Sequence, residues 1–234
     1  MRILAVDSSA KSGSVAILED GKKLAEFYIN TTLTHSQTLM PMIEWALKST
    51  NLTSKDIDYF AVSSGPGSFT GLRIGISCIK GLAFAEDRPC VSVSTLEGLS
   101  RNISQSAIIC PVMDARCSQV YTALFDFDGN KYERLSPDKA ISISDLEKEL
   151  KKFKKNVILV GDGAQMCYNI LKESCKNLSL ASENVRFQHA FGVAQVAFEE
   201  AKKENTISSE ELVPFYLRLP QAQRELLSKK ESVL

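Results

Sequence analysis

Apolar residues come in short continuous runs along this chain, and each run empties into a small polar or glycine turn. Residues 3–6 (Ile-Leu-Ala-Val) end in Asp7-Ser8-Ser9, the pattern of a buried strand opening into a tight turn. Runs at 14–18 and 24–29 follow, separated by Glu19-Asp20-Gly21-Lys22, whose Asp-Gly pair accepts the positive φ angles of a two-residue hairpin. Thr34-His35-Ser36-Gln37 has the spacing of a capping box, and Leu39, Met42, Ile43, Ala46 and Leu47 then share one helical face, predicting a helix of about four turns. Pro41 removes a backbone donor inside it and predicts a kink or a late start. Residues 59–62 form the next strand and run into Gly65-Pro66-Gly67-Ser68-Phe69-Thr70-Gly71. A helix reaches from there to about residue 85, residues 90–93 make a further strand, and Ser94 with Glu97 caps a short helix ending at a boundary near 102–106.

The second half repeats the first in outline. An apolar run at 109–113 ends in Asp114, residues 120–125 predict a strand, and Asp128-Gly129 predicts a hairpin turn, so Asp7 precedes Gly21 by 14 positions and Asp114 precedes Gly129 by 15. Ser144 and Glu147 are placed to cap a helix through residue 155, after which residues 157–160 enter Gly161-Asp162-Gly163 as Val62 enters Gly65-Pro66-Gly67. A repeat of this length is a duplicated lobe rather than a solenoid unit. The expected architecture is α/β with two lobes, 1–104 and a reduced 105–213, followed by residues 214–234 as a tail packing back between them. The order of elements resembles the actin, heat-shock-chaperone and sugar-kinase superfold (ASKHA).

Composition narrows the picture. With 234 residues, 44% of them hydrophobic, the chain can bury a core that needs no disulfide or metal. Its six cysteines form no C-x-x-C pair, and Cys78, Cys90, Cys110 and Cys117 sit in or beside apolar runs, which points to reduced thiols and a cytoplasmic protein. The first apolar run is too short for a signal peptide, and no run is long enough to span a membrane. Because 28 basic residues balance 28 acidic ones, there is no electrostatic footprint for unaided nucleic-acid binding, and any RNA is expected to be gripped by another protein.

Few residues suggest chemistry. Asp7 and Asp114, ending the first strand of each lobe, either face a cleft where Mg²⁺ and nucleotide phosphates could sit, or satisfy amides in their own turns. The loop from Gly65 to Gly71 is either an anion cradle at a helix N-terminus or a stiff turn seating that helix. It is not a P-loop, lacking Gly-Lys-Ser/Thr, nor a Gly-x-Ser-x-Gly nucleophile elbow. The helix after it carries Gly71, Gly75, Cys78 and then Gly81 or Leu82 at helical spacing, a small-residue stripe that permits close approach by the protein's own sheet or by a second protein's helix. His35 and His189 are the only histidines and cannot form His-x-x-x-His; each begins a helix. A small-molecule kinase would need Asp7 or Asp114 as its base, and a metalloprotease would need ligands that this sequence does not have.

Ile-Leu-Ala-Val-Asp-Ser-Ser at 3–9, His35-Ser36-Gln37-x-Leu39-x-Pro41-x-Ile43, and Gly-Pro-Gly-Ser-Phe-Thr-Gly-Leu-Arg-Ile-Gly at 65–75 resemble the TsaB family, also called YeaZ. Asp114-Ala115-Arg116 with Val120-Tyr121, and Pro214-x-Tyr216-Leu217-Arg218 with Ala222, extend the resemblance over nearly the whole chain; Ser118-Gln119 departs from it, standing where Gly-Glu is usual. The resemblance implies a cytoplasmic, non-catalytic subunit required for placing threonylcarbamoyl on N6 of the adenosine 3′ of the anticodon, in tRNAs reading codons that begin with A. It implies pairing with a TsaD-type paralogue that carries out the transfer, a TsaE-type ATPase as a third component, self-pairing when alone, and tRNA contact only through the complex. The implied partner surface is the pair of helices at about 35–49 and 71–85, through His35, Leu39, Met42, Gly71, Arg73, Gly75, Cys78 and Leu82. It implies no cofactor of the chain's own, with ATP or ADP possible at a shared or degenerate cleft formed by Asp7, Ser8, Ser9, Gly65, Gly67, Ser68 and Asp114.

Overall fold

In the computed structural model, which describes residues 1–116 and 118–218, the first half runs β1 (Arg2–Asp7), β2 (Gly13–Glu19), β3 (Lys22–Ile29), α1 (His35–Ser49), β4 (Tyr59–Gly65), α2 (Phe69–Glu86), β5 (Cys90–Ser94) and α3 (Thr95–Ser100). Its strands form a sheet in the order β3-β2-β1-β4-β5, antiparallel across the first three and parallel across the last three. The run in β1 is continuous because both faces are covered. Leu4 and Val6 pack with α1 and α2, while Ile3 and Ala5 pack with a helix from the far end of the chain.

The second half runs β6 (Ala107–Asp114), β7 (Gln119–Thr122), β8 (Phe125–Phe127), β9 (Tyr132–Arg134), β10 (Lys139–Ser142), α4 (Ile143–Leu150), β11 (Val157–Val160), α5 (Ala164–Leu171), β12 (Leu178–Leu180), α6 (Glu183–Arg186) and α7 (Ala190–Lys202). Its sheet order, β10-β7-β6-β11-β12, repeats the first strand for strand with the same sequence of antiparallel and parallel pairings. The duplication is therefore present in the topology.

Several local expectations need correcting. The strand expected at 120–125 is broken: β7 pairs with Val112 to Asp114, and β8 pairs with Ala107 to Ile109 on the same side of β6. Asp128-Gly129 turns β8 into β9, a hairpin with no counterpart in the first lobe, whereas Asp20-Gly21 joins β2 to β3, whose counterpart is β10. The near-equal spacings thus compare unlike turns. Helix α4 is capped by Ser142, whose side chain accepts from the Asp145 N–H at 3.1 Å, and it ends at Leu150 instead of running to 155. Helix α1 begins on time, with Gln37 Oε1 accepting from the Thr34 N–H at 3.1 Å, and it continues through Pro41. Pro41 and Gln37, whose carbonyl the missing N–H would have bonded, both face water.

The lobes exchange helices. Val193, Ala194 and Ala197 of α7 pack on the first sheet against Ile3, Ala5 and Val91, although α7 falls within the expected second lobe. Conversely, Leu96 and Leu99 of α3 pack on the second sheet with Ile109 and Phe125. The two helices meet back to back between the sheets at Gly98 and Gly192, where a Cβ on Gly192 would lie 2.2 Å from the Gly98 carbonyl oxygen. Only a residue without a side chain permits that crossing.

The described cysteines are free thiols. Burial pushes Cys90 up to about 11 and Cys110 up to about 12, and Cys167 and Cys175, which the sequence left outside the apolar runs, are also buried. Cys117 lies outside the described residues. Among the described residues, no helix is long and apolar enough to cross a membrane.

Candidate functional site

The turn after β1 is self-satisfied. Asp7 is buried, one carboxylate oxygen accepts from the Ser9 N–H at 2.9 Å and the Ser9 hydroxyl at 2.7 Å, and the other accepts from the Ser63 hydroxyl at 2.5 Å. Burial pushes its carboxyl up, against the pull of those hydrogen bonds. Ser8 turns away from solvent to donate to the Gly71 carbonyl at 2.9 Å. The glycine loop closes onto this turn: the Ser68 N–H donates to the Ser9 carbonyl at 2.6 Å, and a Cβ on Gly67 would lie 2.5 Å from the same oxygen. Ser68 caps α2 by accepting from the Gly71 N–H at 3.3 Å. Asp7 does not fit a Mg²⁺ ligand here, because it is buried with both carboxylate oxygens engaged, and the Ser68 N–H and hydroxyl also have partners within the protein. The loop seats α2 on the turn after β1.

The second lobe builds the same loop with a different outcome. Gly161 and Gly65 share positive φ values of 112° and 138°, and the Gly163 N–H donates to the Val112 carbonyl at 3.0 Å, so this loop closes on β6, the first strand of its lobe. Asp114, however, is exposed, and accepts from the Arg116 N–H at 2.7 Å. It borders a cavity of about 530 Å³ between the lobes, whose walls carry Lys11, Arg116 and Arg218 as well as Asp114 and Asp162. Asp162, exposed to the cavity, accepts from Gln188 at 3.1 Å; partial desolvation by the cleft walls and the nearby Asp114 charge both push its carboxyl up. In the sequence Asp162 stands out only by its place in the glycine loop that mirrors Gly65-Pro66-Gly67. Ser9, Gly67, Ser68 and Asp114 line the cavity, whereas Asp7, Ser8 and Gly65 do not. Ser118 adopts φ 55°, the region that favours glycine. Among the described residues, no three His, Cys, Asp or Glu side chains come together as metal ligands.

The expected partner residues also divide. Leu39 and Met42 belong to the core beneath α1, and Gly71 and Gly75 are buried beneath α2, where a Cβ would meet Ser8 at 2.1 and 2.4 Å respectively. His35 holds the first-lobe turn through Nε2, 2.7 Å from the Ala10 carbonyl. Cys78 and Leu82 are half-buried, and Arg73 is exposed. The large apolar side chains that these helices leave in water are Met40, Trp45 and Phe84, exposed by 45%, 61% and 73%. The stripe of apolar residues read from helical spacing is the face that the fold itself consumes.

Residues 29–226 match the family model described as TsaD, tRNA N6-adenosine threonylcarbamoyltransferase. Over nearly its full length the chain is 30% identical to the tRNA threonylcarbamoyladenosine biosynthesis protein TsaB of Bacillus subtilis, with 99% of this chain and 100% of that protein covered. The chain belongs to the TsaB family. It is likewise 31% identical to the Escherichia coli TsaB, covering 98% of this chain and 100% of the relative. A Pseudomonas aeruginosa crystal structure, described as an uncharacterized protein with similarity to peptidase YEAZ, superposes with a TM-score of 0.78 at 24% identity, over 93% of this chain and 99% of that one. The fold of this TsaB-family chain is thus the two-lobed ASKHA architecture that its order of elements predicts.

Proposed function

We propose that this chain is a non-catalytic partner subunit in the formation of threonylcarbamoyladenosine in tRNA. It pairs with a TsaD-type paralogue that performs the transfer, works with a TsaE-type ATPase, pairs with itself when alone, and meets tRNA only through the complex. The observation that carries this reading is the apolar surface of α1 and α2, where Met40, Trp45 and Phe84 stand in water on a chain whose full-length relatives are TsaB proteins. Exposed aromatic side chains of this size are the usual anchors of protein interfaces. The cleft supports the same reading, since Asp7 is buried and does not line the cavity, out of reach of a substrate there. Any ATP or ADP would use the cavity between the lobes, whose walls carry Lys11, Arg116 and Arg218 as well as Asp114 and Asp162.

Reconstitution tests the proposal. With paralogue, ATPase, ATP and tRNA present, adding this chain switches on modification, and Phe84→Glu combined with Trp45→Ser weakens pairing at least tenfold without lowering the melting temperature. Modification proceeding equally without the chain, or unchanged pairing by the double variant, would overturn it.

A further inference from the structure

After α7 the chain returns along the first lobe as a strap. Ile207 bridges to Cys90 at the edge of β5, Lys80 donates to the Glu210 carbonyl at 3.0 Å, and Leu212 is fully buried in the core beneath α1 and α2. The Phe215 N–H then donates to the Ser64 carbonyl at 2.8 Å. Tyr216 stacks on Phe69 with ring centroids 4.6 Å apart, and its hydroxyl accepts from Arg73 Nε at 3.0 Å. Two residues later the strap reaches the second lobe, where Arg218 donates to the Ala115 carbonyl, beside Asp114, at 2.8 Å. Gly65 is shaped for this passage, because a Cβ there would lie 2.1 Å from the Phe215 carbonyl oxygen.

We propose that the strap, residues 207–218, is a clasp that holds the two lobes at one cleft opening, and that the first glycine loop exists to seat it. Two lobes that share a helix pair can open and close by rotation about it, and here Ser94 to Asp138 at 2.5 Å and Gln188, between Asp162 at 3.1 Å and Ser12 at 3.5 Å, also cross between them. Here the helix pair is tied by Arg101 to Glu199 at 2.9 Å, and Arg134 of β9 reaches Glu97 of α3 at 2.7 Å. The strap adds a tie on the cleft side, so opening must break the Arg218 contact. That contact is a charged donor on a buried carbonyl, the stronger kind of hydrogen bond, since Ala115 is only 6% exposed. Arg73 and Lys80, which hold the strap, share a stripe of α2 with the exposed Phe84, so a partner seated there would bear on the clasp; this last consequence rests on the proposed pairing.

The test uses the full chain alone, so its result is independent of pairing. Amide hydrogen exchange is compared between the wild type and Arg218→Ala. The clasp predicts roughly tenfold faster exchange at the turns of both lobes, at Ser68 and Ala115 as well as at Phe215, while β1 and β6 keep their protection. Faster exchange confined to residues 213–218, or none, would overturn it. Gly65→Ala, which displaces the strap with Arg218 intact, must reproduce the two-lobe pattern if it folds; a folded variant with wild-type exchange at Ala115 would also sink the proposal.

Discussion

The glycines of α2 look alike in the sequence and differ completely in what surrounds them. A Cβ on Gly75 would lie 2.4 Å from the Ser8 hydroxyl and 3.4 Å from Val62, and relieving it would cost the hydrogen bond from Ser8 to the Gly71 carbonyl. Gly81 is exposed, with nothing within 4 Å of a built Cβ. Gly75→Ala therefore destabilises the isolated protein by about 2–3 kcal/mol through overpacking. Gly81→Ala stabilises it by about 0.5–1 kcal/mol, because alanine is the better helix former where space is open. Urea unfolding midpoints of the two variants check both signs, and a neutral Gly75→Ala would mean that α2 does not rest on the β1 turn. A bulky residue at Gly75 is accordingly a test of the fold and not of partner binding.

Where elements meet, one carboxylate joins β3 to α7. Glu26 accepts from His189 at 3.2 Å, from Lys23 at 2.8 Å and from the Phe191 N–H at 3.3 Å, while the His189 ring stacks on Tyr28 with centroids 4.5 Å apart. The negative charge sits at the first turn of α7, where the helix dipole favours it. Burial pushes Glu26 up, but the hydrogen bonds from His189 and Lys23 outweigh it and bring the carboxyl from 4.5 down to about 2. A folded value below the unfolded one means stability that is fully present above pH 4.5 and is lost as pH falls toward 2. Allowing for screening of a partly exposed group, the contribution is on the order of 2 kcal/mol. Urea unfolding at a series of pH values between these limits should show a smaller loss for Glu26→Gln than for the wild type. Identical slopes would assign the acid sensitivity to other groups.

Across the whole molecule, the exchange of α3 and α7 makes each lobe depend on a helix drawn from the opposite half of the sequence. Neither sheet is covered on its inner face unless the Gly98–Gly192 crossing forms, and Arg101 to Glu199 locks the two helices about one turn along α3 and two along α7. Unfolding of one lobe therefore strips the other, and heating should give a single transition. Scanning calorimetry checks this through equality of the calorimetric and van't Hoff enthalpies. Two resolved transitions would show that the lobes unfold separately.

Sequence alone determined whatever neighbouring residues settle among themselves: the continuous apolar run of β1, the Asp20-Gly21 hairpin, the box at Thr34 and Gln37, and the Ser94 cap of α3, together with the outline of a repeated lobe. Tertiary structure alone decided which residues of α1 and α2 stay in water, and that Asp7 turns inward while its counterpart Asp114 faces the cleft. It also decided that α7 closes the first lobe and that Gly65 makes way for Phe215. The reason is physical. Caps and turns are set by hydrogen bonds spanning a few residues, so their signals are local. The fate of a side chain on a helix face or at a strand end depends on what another part of the chain, often more than a hundred residues away, places against it.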